Sequence, residues 1–129
     1  MTLRIVRLGT PRHPKEGLRI GTVRRPPRGV PKAAFATLDY YDTWLPILAP
    51  SEALMKQGQA VGTEAEWKAF ARAFKTELAR PEAQHTLALL AALSKTTDLS
   101  VGCYCEDEAR CHRSVLRALL VEAGAILAD

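Results

Sequence analysis

The sequence predicts a small α/β layer fold, and three observations carry that expectation. Two short N-terminal stretches alternate in strand fashion, the middle of the chain repeats apolar residues at helical spacing, and the C-terminal quarter reads as strand, turn and helix. A chain of 129 residues fits one domain, 1–129, around one core.

Taken in order, "LRIVRLG" (3–9) and "LRIGTV" (18–23) read as strands, separated by the proline- and glycine-bearing loop "TPRHPKEG". "RRPPRGVPK" (24–32) is neither helix nor central strand, because Pro26, Pro27 and Pro31 lack backbone donors. It is expected to be a surface loop presenting Arg24, Arg25 and Arg28. Pro50-Ser51 starts a short helix ending at Gly58. Thr63 and Glu66 form a capping box, after which Trp67, Phe70, Ala71, Phe74 and Leu78 recur on one helical face. Pro81 stops that helix and begins the next, through Leu87, Leu90 and Leu93. "DLSVGCYC" (98–105) reads as a strand, followed by an acidic turn and a helix whose buried face is Val115, Leu116, Leu119 and Leu120, stopped near Gly124.

Hydrophobic residues make up 47% and charged residues 25%, as in soluble globular chains, and no apolar run reaches the roughly 18 residues of a membrane span. With no apolar signal core at the N-terminus and three cysteines, too few for a disulfide scaffold, the expected setting is cytoplasmic, with reduced thiols. Charge is uneven. Residues 1–32 carry nine Lys/Arg against Glu16 alone, whereas residues 33–129 carry nine against thirteen acids. A basic first quarter points to an anionic partner or to a solvated surface; nucleic acid is the weaker form, because no aromatic residue stands among these arginines to stack a base.

All three cysteines fall within "CYCEDEARCHRS" (103–114). On a strand Cys103 and Cys105 share a face with α-carbons about 6.6 Å apart, which disfavours a bond between them. Cys111 could fold back to Cys105 as a reversible disulfide. At the start of the last helix, Cys111 has Arg110 and Arg113 beside it to stabilise a thiolate, opposed by Glu106, Asp107 and Glu108. A phosphatase-type loop needs five residues between cysteine and arginine; four separate Cys105 from Arg110 and six separate Cys103 from it, so that chemistry is disfavoured.

Two function classes follow. In the first, Arg24, Arg28, Ser51, Arg113 and Ser114 bind a phosphate or carboxylate ligand, Cys105 or Cys111 is the nucleophile and His112 the base, which would make the protein a thiol enzyme. In the second, Cys103, Cys105, Cys111 and His112 form a non-catalytic zinc-binding or redox-sensing module. The spacing C-x-C-x5-C-H matches no familiar zinc knuckle, and adjacent Cys111 and His112 diverge by about 100° on a helix. Buried packing is a third account of the same cysteines.

"RIGTVRRPPRGVPK" (19–32), "WLPILAPSEALMK" (44–56), "EWKAFARAFKTEL" (66–78) and "CYCEDEARCHRSVLRALL" (103–120) together resemble the proteins grouped as domain of unknown function 488, especially the short bacterial and archaeal branch. The resemblance spans roughly residues 3–124 and is most specific at "CHRS". It implies a compact, Rossmann-like three-layer α/β domain with a small, mostly parallel sheet flanked by helices, and no established activity. Its motif positions fall on Arg24, Arg28, Gly29, Pro50, Ser51, Cys105, Cys111, His112, Arg113 and Ser114. The chain departs from the family pattern before "PRG", where "VRRP" replaces an aspartate-arginine-leucine-tryptophan run.

Overall fold

The computed structural model describes residues 1–105 and 111–128. Four strands, β1 (Leu3–Arg7), β2 (Leu18–Gly21), β3 (Thr43–Trp44) and β4 (Leu99–Cys103), form one wholly parallel sheet in the order β1-β4-β2-β3. With helices α1 (Glu52–Gln59), α2 (Glu64–Glu77), α3 (Pro81–Leu93) and α4 (His112–Glu122) they make the compact three-layer α/β domain that the sequence predicts.

The helix starts follow local chemistry. Ser51 Oγ accepts from Leu54 N–H, and Thr63 Oγ1 accepts from Glu66 N–H, each satisfying a donor that the first turn leaves over. Pro81 opens α3, where its missing N–H removes nothing. The apolar stripes meet in one core: Phe70, Phe74 and Leu78 of the α2 segment pack with Leu87 and Leu90 of α3, Val115, Leu116 and Leu120 of α4, and Leu3, Ile20 and Val101 of the sheet. Gly124, at φ 98°, terminates α4 in the left-handed region. The chain then returns to the sheet edge, where Leu3 N–H donates to Ile126 O and Ala128 N–H to Leu3 O.

The strands are shorter than the alternation suggests, and β3, only two residues long, carries no periodicity from which to predict it. The order also differs from chain order. β4 arrives last yet inserts between β1 and β2, with Ile5 and Ile20 both registered on Val101. Every residue of β4 is buried, Ser100 included, as befits a central parallel strand covered on both faces. Gly102 permits the close approach: a Cβ there would lie 2.6 Å from Val6 O.

The loop leading into β2 is pinned by a buried ion pair. Arg19 Nε and Nη2 donate to the two Glu16 carboxylate oxygens at 2.8 and 3.0 Å, with both side chains 1% exposed, while Nη1 donates to Thr10 O and Asp39 O at 2.9 and 2.6 Å. Nearer the surface, Arg12 grips Asp42 through two bonds of 2.8 and 3.0 Å, and Asp42 also accepts from Arg19 N–H. Burial pushes the Asp42 carboxyl up, but the Arg12 bond, the Arg19 backbone bond and both positive charges outweigh it and hold the group below its usual value.

Two outcomes follow. Glu16→Gln leaves the Arg19 charge buried without its counter-charge and should lower unfolding stability by about 3–5 kcal/mol, read as a drop in denaturant midpoint at unchanged m-value. Asp42 contributes stability that is full above its unfolded pKa of about 3.9 and is lost as pH falls through the lower folded value. Asp42→Asn should therefore be less stable than the parent at neutral pH, with the gap closing on acidification.

Candidate functional site

In a parallel sheet all carboxyl ends of the strands face one way, and ligand sites collect there. Here β4 ends at Cys103, β2 runs out through Thr22 and Val23, and α4 starts at His112 beyond the same edge. A second apolar cluster fills the space between them: Leu8, Val23, Tyr41, Cys103 and Cys111, with Phe35, Tyr40 and Tyr104 against it. Gly21 makes room for it, since a Cβ there would sit 2.3 Å from the Tyr41 ring.

The three cysteines converge, although not as strand alternation predicts. β4 stops at Cys103, so Cys105 lies beyond the strand and does not share its face with Cys103 by pleat geometry. Strand spacing does not suggest the pair that meets: Cys103 Sγ and Cys111 Sγ are 2.7 Å apart, with the residues 1% and 2% exposed. All three thiols are free, and Cys105 alone is exposed. Hydrogen bonds from the Cys103 and Cys111 thiols, followed by the charge of Arg113, outweigh partial burial and hold Cys105 far below the ordinary thiol range, at about 3. Cys103 shifts the opposite way, because its proton is shared with Cys105 and Cys111 and because it is buried. Of the three thiols, the exposed one is thus the one whose negative form is favoured.

His112 is set for the same neighbourhood. Its Nε2 lies 2.9 Å from Thr22 O, and since a carbonyl only accepts, that nitrogen carries the proton. In the neutral ring Nδ1 is then the free lone pair, and it faces Cys111 Sγ at 3.9 Å. Phe74 packs edge-on against the ring at 5.7 Å between centroids. The sequence places no acid to orient this histidine; a backbone carbonyl does it instead. One donor atom from each of Cys103, Cys111 and His112 lies within 4.8 Å of the others, and these three residues could hold a soft metal ion, with Thr22 O supporting the imidazole from behind.

Above the thiols lies a cleft of about 660 Å³. Arg24, Arg25, Pro26, Pro27 and Arg28 form one wall, Met55 and Gln59 of α1 another, and Tyr40, Tyr104, Cys103, Cys105 and His112 the floor and side. The basic loop and the start of α4 therefore do meet over one cleft. The loop is ordered by Trp44 Nε1 donating to Val23 O at 2.7 Å and by Tyr104 Oη donating to Arg25 O at 2.9 Å.

Of the remaining candidates, Ser51, Arg113 and Ser114 do not line the cleft. Arg24 borders the cleft but turns inward, donating to Pro50 O, Pro46 O and Ala49 O at 2.9, 3.1 and 3.1 Å. Ser51 caps α1 and donates to Glu77 at 2.5 Å. Ser114 donates to Cys111 O at 2.9 Å. Arg113 is 4% exposed and lies behind the cleft, donating through Nη2 to Cys105 O at 2.5 Å. Its Nε is buried without a partner among the described residues. Arg25 pairs with Glu52 at 3.2 Å on the surface, and Arg28 has no ion pair or hydrogen bond among the described residues. Arg110, Glu106, Asp107 and Glu108, invoked above as influences on the thiols, lie outside the described residues. Tyr40, Tyr104, Met55 and Thr22 were not foreseen as site residues. None carries a chemical signature, and the fold alone brings them to the sheet edge.

Among the described residues no helix is long and apolar enough to cross a membrane. No curated protein and no solved structure matches the chain. A family model does, over residues 3–124: DUF488-N3a, described as the active DUF488-N3 subclade. That match takes in the basic loop, the cysteine cluster and nearly all of the core, and the chain belongs to the domain of unknown function 488 family.

Proposed function

We propose that the protein is a cytoplasmic thiol-dependent enzyme that binds a small phosphate- or carboxylate-bearing ligand in the cleft beneath the basic loop, with Cys105 as the reacting thiolate. The observation that carries this reading is the placement of Cys105. It is the exposed member of the three cysteines, its backbone carbonyl accepts from the Arg113 guanidinium, and it opens on a cleft rimmed by Arg25 and Arg28. The Arg113 charge and the neighbouring thiols lower its pKa, which favours the nucleophilic thiolate. The tyrosines, Met55 and the two prolines give the cleft apolar walls, which suits a ligand with an apolar body and an anionic end.

The arginines divide by role. Among the described residues Arg28 has no ion pair or hydrogen bond, which leaves it to meet the anion; Arg24 holds the loop through three carbonyls; Arg113 is a positioning residue acting through Cys105. Nucleic-acid binding is less favoured, because Arg12, Arg19 and Arg24 have internal partners that withdraw them from a phosphate track. A metal module is the second reading, supported by the Cys103, Cys111 and His112 donor set. Elemental analysis of protein purified without chelator separates the two, with stoichiometric zinc favouring the module.

The first test is the alkylation rate of each cysteine against pH, read by mass spectrometry on metal-free native protein. Because a thiolate fraction is constant above its pKa, Cys105 should react fast and almost independently of pH down into the acid range, with an apparent pKa far below about 8.5. Arg113→Ala should move that midpoint upward. Inorganic phosphate or citrate should protect Cys105, and Arg28→Ala should abolish protection while changing stability by no more than about 0.5 kcal/mol. Arg24→Ala should instead destabilise the protein. Slow alkylation of Cys105 with an ordinary midpoint near 8.5 would overturn the assignment.

A further inference from the structure

A second concave site lies away from the thiols. A cavity of about 510 Å³ follows β1, the edge strand of the sheet, and shares no lining residue with the cleft over Cys105. Its volume is that of a small-molecule site. Four arginines line it, Arg4 and Arg7 of β1, Arg19 of β2 and Arg117 of α4, against one carboxylate, Glu16. Both Glu16 oxygens accept from Arg19, so that pair is neutral and the rest of the charged lining is basic. Arg7 and Arg117 have contacts of their own, and the site needs from them only positive charge close by.

Arg4 is the residue that lacks an acceptor. It makes no hydrogen bond or ion pair among the described residues, although its Nε is buried. Arg12, Arg19 and Arg24, in the same quarter of the chain, are each given acceptors by the fold. An N–H withdrawn from water and left unpaired is costly, and in folded proteins such a donor marks a missing water, ion or ligand. Strand alternation places Arg4 and Arg7 on opposite faces of β1, and both border the cavity because β1 is at the sheet edge. Cations therefore approach the cavity from both faces of the strand and from α4.

We propose that this cavity binds a small phosphomonoester, with Arg4 as its anchor. A phosphate group presents three acceptor oxygens in different directions, which suits cations arriving from three sides, whereas the two oxygens of a carboxylate lie in one plane. Two phosphate oxygens also match the planar fork of Arg4, so that the buried Nε–H and an outer Nη–H can donate together. His13 adds a donor: its Nδ1 accepts from Lys15 N–H at 3.0 Å, so in the neutral ring Nε2 carries the proton. The volume beyond the phosphate is left for the organic body, beside Ile5, Val6 and Leu127. The site involves no thiol chemistry and stands whether or not Cys105 is a nucleophile.

The test titrates the ¹⁵N-labelled full chain with ribose 5-phosphate, inorganic phosphate and ribose at constant ionic strength, and follows amide and arginine Nε–H signals by NMR. Ribose 5-phosphate should shift the Ile5 and Leu127 amides and the Arg4 Nε–H signal saturably, inorganic phosphate should do so with lower affinity, and ribose should not. Arg4→Gln should weaken binding by about tenfold or more, the loss expected for a charged hydrogen bond. It removes no internal bond, so its denaturant midpoint should not fall below that of the parent. Arg28→Ala, at the other cleft, should leave these signals and their affinity unchanged. The titration of the parent decides the matter even if a variant fails to fold. Absence of a saturable shift at β1, or equal shifts from sodium chloride, would overturn the site, and Arg4→Gln binding as tightly as the parent would overturn the anchor. Equal affinity for ribose 5-phosphate and inorganic phosphate would overturn the phosphomonoester assignment. Phosphate that protects Cys105 from alkylation while the β1 signals stay still would remove this site alone and leave the thiol cleft standing.

Discussion

Everything at the site depends on one packing constraint, the insertion of β4 between β1 and β2. A strand paired on both edges and covered on both faces has no freedom in register, because a shift by one residue would carry its apolar side chains to the wrong layer. With Val101 fixed opposite Ile5 and Ile20, Cys103 is fixed two residues on, at the last rung of the sheet. The approach of α4 is fixed in turn by Val115, Leu116 and Leu120 in the same core, and its first turn sets Cys111 against Cys103. The sulfur cluster is therefore a consequence of core packing. It needs no special loop to hold it.

That origin explains how charge is distributed among three chemically identical groups. Two of them are in the core because the strand end and the helix start are in the core, and there a thiolate is disfavoured. The third follows β4 as the chain leaves the sheet, reaches solvent, and receives hydrogen bonds from its buried neighbours as well as the field of Arg113. Arg113 itself sits one residue into α4, buried, with its Nη2 on the Cys105 carbonyl. It steadies the position of Cys105 and favours its negative form at once. A lysine there would supply charge without the fixed fork that reaches the carbonyl.

The layer class, the helix starts and the core stripes were legible in the sequence because each is a local matter. Ser51 and Thr63 cap helices wherever they stand before one, Pro81 begins a helix by its own ring, and Phe70, Phe74 and Leu78 share a face by arithmetic. The meeting of the basic loop with the start of α4 was also foreseen, since both follow strand ends in a parallel sheet. What the sequence could not yield were facts with long separations. The pairing of β4 with both early strands joins residues some eighty to a hundred positions apart, and the orientation of His112 by Thr22 is a bond across ninety residues. The reading of Arg24 and Ser51 as free side chains has the same origin, since each has a partner that only the folded chain supplies, whereas Ser114 bonds Cys111 O three residues back.

The basic N-terminal quarter shows why net charge alone is a poor guide to a partner. Arg19 is neutralised inside the protein by Glu16, Arg12 is held by Asp39 and Asp42, and Arg24 is turned onto backbone carbonyls. These cations organise the loops that precede and follow β2. In doing so they position the rim on which Arg25 and Arg28 stand, so the structural arginines and the outward-facing ones belong to one device. Such a rim adds little binding energy in water, where exposed pairs are worth less than about 1 kcal/mol. Its effect grows when a ligand seats against Tyr40, Tyr104 and Met55 and excludes solvent from the arginine it meets. On the proposed reading, selection for an anionic ligand would depend on the apolar walls as much as on the charges. A ligand with the charge but no body to fill the cleft would leave the arginines hydrated and the thiolate exposed.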